Sequence, residues 1–88
     1  MARKYLVMAE RTPKFDASVI EPHRTFLQEL LAAGRLQESG GFTDGTGGAY
    51  VVLAESHAAA TALVHSDPLH TTGASDLTIH EWEITISA

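Results

Sequence analysis

The sequence contains no cysteine, which excludes a disulfide framework and thiol chemistry. Cations are also scarce, since six Lys and Arg stand against eleven Asp and Glu, for a formal net charge of −5 at pH 7. This balance argues against nucleic acid or an anionic membrane as the main partner, because no surplus of cations is left to neutralise phosphates. The first apolar run, Tyr5 to Ala9, is too short for a signal peptide core or a membrane span. We therefore expect a cytoplasmic protein.

The length of 88 residues leaves room for one small core, so we expect a single domain over residues 1–88. Apolar periodicity and turn signals predict four strands and two helices in the order βαββαβ. Asp16 or Ser18 is expected to cap the first helix, which closes at Gly34, and Ser56 to cap the second. The predicted strands cover residues 4–9, 35–42, 49–54 and 77–86, and the second helix reaches about residue 66, before an irregular segment with a single helical turn.

This order is typical of the ferredoxin-like α+β fold, a four-stranded antiparallel sheet with two helices on one face. The first strand is nevertheless apolar on both sides, because Leu6 and Met8 alternate with Tyr5 and Val7. Burial of apolar surface is worth roughly 25 cal/mol per Å², so a second exposed apolar face favours association. We therefore expect a homodimer with the two sheets packed face to face, a dimeric α/β barrel.

The last predicted strand has an apolar pattern that changes phase along its length. Leu77 and Ile79 alternate correctly at its start, whereas Trp82, Ile84 and Ile86 continue one residue out of step. Such a change predicts a β-bulge near His80 or Glu81.

Two titratable residues fall where apolar side chains are expected. His23 belongs to a stripe on the first helix with the spacing i, i+4, i+7, i+8 and i+11. Asp67 ends the apolar run of the second helix, and Pro68 stops that helix. A lone histidine on an apolar face is more often structural than catalytic, but one titratable group from each helix predicts an acid/base pair. The stripe consists of Val19, His23, Phe26, Leu27 and Leu30.

A set of short motifs resembles the YCII-related family, within the dimeric α+β barrel superfamily. No single motif is specific, but their order along nearly the whole chain is. Where the family often has Gly-Pro, this chain has Gly40-Gly41, so the strand end is expected to be more flexible. The motifs are Glu21-Pro22-His23-Arg24-Thr25-Phe26-Leu27, Gly34-Arg35-Leu36, Gly40-Gly41-Phe42, residues 48–53, Ser66-Asp67-Pro68-Leu69, Gly73 and Glu81-Trp82.

The resemblance implies a ferredoxin-like fold, a dimer, and a His–Asp dyad at His23 and Asp67 that lines a small pocket. The best-defined reaction in the family is dehydrochlorination of chlorinated hydroxyhydroquinones, and related barrels isomerise muconolactones or act on quinone-like polyketides. We therefore expect a lyase or isomerase for a hydroxylated aromatic or quinone-like catabolite. The alternatives are a non-catalytic small-molecule-binding or accessory barrel, and a structural dimer module.

The dyad suits general acid/base chemistry. If Asp67 accepts a hydrogen bond from one ring nitrogen of His23, the other nitrogen is left to take a proton from a hydroxyl or an activated carbon. Return of that proton elsewhere gives isomerisation, and expulsion of a leaving group such as chloride gives a lyase reaction. Neither route needs a cofactor. No serine is placed for a nucleophilic triad, which disfavours hydrolysis.

Four further residues are candidates for substrate binding. Arg11 suits a carboxylate or another planar oxyanion, although such a residue is more often simply solvated. Ser75 precedes the last strand, where a pocket mouth is expected. Phe42 is a candidate for an apolar wall and Pro68 adjoins the dyad in sequence. Arg24 also adjoins it but is expected to point outward.

The histidines raise the alternative of a metal site. His57, His65 and His70 lie near Asp67 in sequence, and two histidines with one carboxylate can bind a metal. However, the spacings match no established zinc pattern, and His65 is expected to project away from Asp67. We therefore expect no metal.

Overall fold

Four strands form one antiparallel sheet in the order β2-β3-β1-β4, and the computed structural model describes residues 2–88. This arrangement confirms the predicted ferredoxin-like α+β fold. A 3-10 turn at Ala17–Val19 leads into α1. None of the helices described for residues 2–88 is long and apolar enough to cross a membrane. The elements are β1 (Arg3–Arg11), α1 (Ile20–Ala32), β2 (Leu36–Gly41), β3 (Gly47–Ala54), α2 (His57–Val64), α3 (Pro68–Thr71) and β4 (Ser75–Glu81).

Side-chain caps begin the 3-10 turn and α2, whereas α1 itself starts after Val19 without the side-chain cap that was predicted for it. Asp16 accepts a hydrogen bond from the Ser18 amide at 2.8 Å, so Asp16 rather than Ser18 starts the 3-10 turn before α1. Ser56 accepts from the amide of Ala59 at 3.1 Å and starts α2. After α1, Gly34 adopts a φ of 73°, which glycine reaches without strain.

The core lies between the sheet and the helices. Alternation along β1 turns Tyr5 and Val7 toward the helices, where both are fully buried. A smaller cluster lies beyond the main one, at the end of β1 and around α3. The main cluster comprises Tyr5, Val7, Leu30, Leu36, Tyr50, Val52, Ala54, Ala60 and Val64, and the smaller one comprises Ala9, Val19, Leu69 and Ala74.

The opposite face of the sheet also carries apolar side chains. Leu6 pairs with Val51, and Met8 pairs with Ala49, so these four residues lie together on that face. Met8 is 42% exposed, whereas Tyr5 and Val7 on the helix side are fully buried. We call this the open face.

The final strand is shorter and more regular than predicted. β4 pairs with β1 in unbroken register from Tyr5↔Glu81 to Arg11↔Ser75, so the bulge expected near His80 or Glu81 is wrong. The chain leaves the sheet at Trp82, whose amide donates to the Lys4 carbonyl at 2.8 Å. The phase of the later apolar residues is therefore not constrained by sheet pairing. The irregularity in pairing lies instead in β2, between Leu36 and Glu38.

Close backbone contacts around the β2–β3 hairpin require glycine. A Cβ atom on Gly47 would overlap the Ala9 carbonyl oxygen, and one on Gly48 would overlap the Gly40 carbonyl oxygen. The turn closes with the Phe42 amide donating to the Gly47 carbonyl at 2.8 Å. These contacts bring β3 close to both neighbours at the end of the sheet that faces α1.

Candidate functional site

Asp67 is held by the start of α3. Its carboxylate Oδ1 accepts a hydrogen bond from the Leu69 amide at 2.9 Å, which makes it the N-cap of this short helix. Pro68 occupies the first helical turn, where its missing amide hydrogen costs nothing. The side chain of Asp67 is fully buried. The motif Asp-Pro therefore places a carboxylate inside the protein in one orientation.

His23 meets this carboxylate from α1. Its Nδ1 lies 2.8 Å from Asp67 Oδ1, and its side chain keeps 21% of its surface exposed. A carboxylate accepts hydrogen bonds, so Nδ1 carries the hydrogen and the neutral ring has its lone pair on Nε2. No residue between 2 and 88 makes a hydrogen bond to Nε2. The structure thus brings the two titratable residues of the sequence patterns together.

Tyr50 is a third member of this cluster that the sequence analysis missed. Its hydroxyl donates to Asp67 Oδ2 at 2.8 Å, and the residue is 3% exposed. Burial raises the pKa of the Tyr50 phenol, and the neighbouring Asp67 charge and hydrogen bond raise it further. Tyr50 therefore remains a hydrogen-bond donor. The signal that could have found it is general, since a buried tyrosine hydroxyl normally has a polar partner.

The Asp67 carboxylate consequently receives donors on both oxygens. His23 and the Leu69 amide bind Oδ1, and Tyr50 binds Oδ2. Three donors around one fully buried carboxylate suit its ionised form, which only accepts hydrogen bonds. The network fixes the orientation of the His23 ring and leaves its second nitrogen available.

A cavity of about 380 Å³ lies between α1 and the β2–β3 hairpin. His23 and Tyr50 line it, so the exposed part of the imidazole borders the cavity while Asp67 stays behind the ring. Leu27, Leu31 and Leu36 supply apolar walls. A volume of this size suits a small organic molecule.

Two of the four predicted binding residues line this cavity. Arg11 and Ser75 do so, and the Arg11 guanidinium lies 4.0 Å from the centre of the Phe15 ring. Phe42 is 42% exposed and lies outside the cavity lining, because it follows the end of β2 in the turn. Pro68 borders a separate cavity of about 180 Å³, together with Val19.

Arg24 also lines the main cavity, although its helical position suggested that it points outward. Its side chain is 62% exposed and its Nη1 lies 3.2 Å from the Glu21 carboxylate. A long side chain of this kind reaches from an outward position to the cavity rim, which the position of its Cα does not reveal.

The remaining histidines do not assemble with Asp67. The His65 and His70 rings stack at 4.2 Å between their centres, and His57 Nε2 lies 3.2 Å from the Ile79 carbonyl oxygen. Over residues 2–88 the structure contains no group of three or more side chains placed to hold a metal ion.

Comparison with known proteins supports the resemblance inferred from the motifs. A sequence profile of the YCII-related domain matches residues 3–83. The uncharacterized protein YjpA of Bacillus subtilis is 45% identical over 80 residues, which cover 91% of this chain and 94% of YjpA. The solved structure of 5-chloro-2-hydroxyhydroquinone dehydrochlorinase (TftG) from Burkholderia phenoliruptrix, in complex with 2,5-dihydroxybenzoquinone, has a TM-score of 0.70 at 22% identity, covering 91% of this chain and 93% of TftG. At that identity the likeness to TftG shows the fold.

Proposed function

This chain belongs to the YCII-related family, and we propose that it is a cofactor-free small-molecule enzyme with His23 as general acid/base and Asp67 as its orienting partner. One observation carries the proposal. A fully buried carboxylate holds His23 Nδ1 at 2.8 Å, while the same ring lines a cavity of about 380 Å³. A titratable group arranged in this way is a candidate for proton transfer.

The neutral imidazole takes a proton at Nε2 from a hydroxyl or an activated carbon of the ligand. The imidazolium that forms is stabilised by the negative charge of the Asp67 carboxylate. A well-placed general base of this kind contributes roughly 10²–10⁴-fold in rate. Delivery of the proton to another ligand atom completes an isomerisation.

A lyase reaction follows from the same first step. When the ligand bears chlorine, the electron pair left on oxygen forms a carbonyl, and the imidazolium delivers its proton to the adjacent ring carbon that bears chlorine. His23, neutral again, then takes the proton of the hydroxyl para to this carbonyl; the electron pair left there forms the second carbonyl, and the carbon–chlorine pair departs with chloride. Loss of HCl in this way converts a chlorinated trihydroxybenzene into a hydroxylated quinone, and no external oxidant is needed. The apolar walls at Leu27, Leu31 and Leu36 suit a flat ring. The fold shared with a dehydrochlorinase that binds 2,5-dihydroxybenzoquinone favours this substrate class.

The test is chloride release and quinone absorbance with 5-chloro-2-hydroxyhydroquinone as substrate. We expect His23→Asn to lower kcat by roughly 10²-fold or more, in line with the loss of a general base. His65→Asn is the matched control, because His65 is exposed and stacks on His70 outside the cavity. Full activity of the His23 variant would refute the acid/base role. Tight binding without turnover in the wild-type protein would instead identify a binding protein.

We also propose that two copies associate through the open face. Val51 is almost completely buried there, but its neighbours Leu6 and Met8 keep substantial exposure, Met8 at 42%. Both long helices lie on the opposite side and cannot cover these residues. Burial against a second sheet removes this apolar surface from water, which is the main driving force for association.

A further inference from the structure

We propose that Arg11 and Ser75 form a subsite for a carboxylate, so that the cavity selects an organic anion over a neutral ligand of the same shape. This inference rests on the proposed function only in taking the cavity as the ligand site. The subsite would require a negative charge on the ligand, which neither the fold nor the His23–Asp67 dyad requires.

Strand pairing places the two residues side by side. Arg11 on β1 and Ser75 on β4 are direct cross-strand partners, and both line the cavity. Their neighbours Glu10 and Asp76 are also cross-strand partners, one residue along. Because successive side chains on a strand point to opposite faces, these two carboxylates lie on the open face. The sheet therefore separates Arg11 and Ser75 from the carboxylates that adjoin them in sequence.

The Ser75 hydroxyl has a free donor. The residue is only 5% exposed, and among residues 2–88 no hydrogen bond of its hydroxyl is present. No side-chain polar atom of these residues that is sealed from solvent lacks a partner, so the Ser75 oxygen keeps access to the cavity that it lines. A ligand oxygen in the cavity can therefore replace water as the acceptor for this hydroxyl.

The Arg11 guanidinium has no ion-pair partner in the described part of the chain. Its guanidinium lies over the Phe15 ring at 4.0 Å, a contact that holds its plane without using its hydrogen bonds. Between residues 2 and 88 no carboxylate lies within ion-pair distance of it, although the chain carries a net charge of −5. A guanidinium with unused, coplanar donors matches a carboxylate in shape and charge.

The rest of the cavity reinforces the same charge preference. No Asp or Glu is found among the described residues that line it. Arg24 adds a second guanidinium at the rim, partly balanced by Glu21 at 3.2 Å. A concave site lined by one sign of charge attracts ligands of the opposite sign. Arg11 is therefore the residue expected to set the preference.

A matched ligand pair tests this proposal. Gentisate (2,5-dihydroxybenzoate) and 2,5-dihydroxybenzamide share ring, hydroxyls and size and differ in charge at pH 7. Calorimetric titration of the full chain should show at least tenfold tighter binding of gentisate. We expect Arg11→Gln to reduce this preference to about twofold or less and Ser75→Ala to weaken gentisate binding about three- to tenfold, as loss of a charge-assisted hydrogen bond predicts.

Arg3→Gln is the control, because it removes the same charge from the other end of β1, beside Glu81. It should keep the preference for gentisate. Equal binding of both ligands by the wild-type protein would overturn the proposal, as would a preference that survives Arg11→Gln or falls equally in Arg3→Gln. Circular dichroism is used to check that each variant is folded. His23 is unchanged in all of these variants, so a negative result for the carboxylate subsite would not affect the acid/base proposal. The acid/base proposal is tested separately, by the turnover of the His23→Asn variant.

Discussion

Replacement of Tyr50 by phenylalanine is the sharpest test of the buried network around Asp67. The change removes one oxygen atom and leaves the ring, so packing is nearly unchanged. It deprives Asp67 Oδ2 of a donor at 2.8 Å, and the carboxylate is fully buried. A hydrogen bond to a charged group contributes about 1.5–3 kcal/mol, and a buried acceptor left unpaired costs its full desolvation.

We therefore expect Tyr50→Phe to lower the free energy of unfolding by roughly 2–3 kcal/mol. For a domain of this length, such a change corresponds to a fall in Tm of about 10–20 °C. Urea unfolding followed by circular dichroism gives the free energy, and a thermal melt gives Tm. Because the Nδ1 contact of His23 remains, turnover should fall much less than in His23→Asn.

Tyr5→Phe is the matched control for this measurement. Tyr5 is also fully buried, but its hydroxyl bonds weakly to Glu81 at 3.4 Å, and the Glu81 side chain is 52% exposed. Loss of this contact should cost about 0.5 kcal/mol or less, since water replaces it. Equal effects of the two variants, or a change below about 0.5 kcal/mol in Tyr50→Phe, would refute the view that Tyr50 satisfies a buried charge.

Three further perturbations have definite expected outcomes. Burial raises the pKa of Tyr50 above the ordinary value of 10.0, so ionisation of this phenol favours the unfolded chain. The free energy of unfolding should therefore fall as the pH rises past that value, and urea unfolding at several pH values should show a smaller fall for Tyr50→Phe. On the proposed open-face association, Met8→Glu should give a monomer by light scattering, whereas the wild-type protein and Ala58→Glu, at an exposed helix position, should both be dimers. Gly47→Ala should lower Tm strongly in a thermal melt, since its Cβ would overlap the Ala9 carbonyl; an unchanged Tm would contradict this.

Local patterns in the sequence were sufficient to predict the fold and two residues of the candidate site, His23 and Asp67. Alternation, caps and turn residues act over a few positions, so the order of the elements along the chain, the Ser56 cap and the Asp67-Pro68 start of a helical turn were predictable. His23 was recognisable because a titratable residue in an apolar stripe conflicts with its surroundings.

The limits of prediction appear where distant segments meet. Tyr50 lies in an apolar strand and looked like a core residue, because its partner Asp67 comes 17 positions later. The end of β4 was predicted too late, since its pairing with β1 ends at Tyr5↔Glu81, whatever the apolar pattern continues to do. Arg24 was expected to point outward but lines the cavity, because its long, flexible side chain reaches the cavity from an outward position.

Sequence alone thus determined the type and order of the elements and the presence of an imidazole and a carboxylate on inward positions, because these follow from spacing along one helix or strand. The folding of the chain in three dimensions brings these two groups into contact, adds Tyr50 to them, and puts the carboxylates beside Arg11 and Ser75 across the sheet from the cavity. Those outcomes depend on register and helix docking, which bring together residues far apart in the chain.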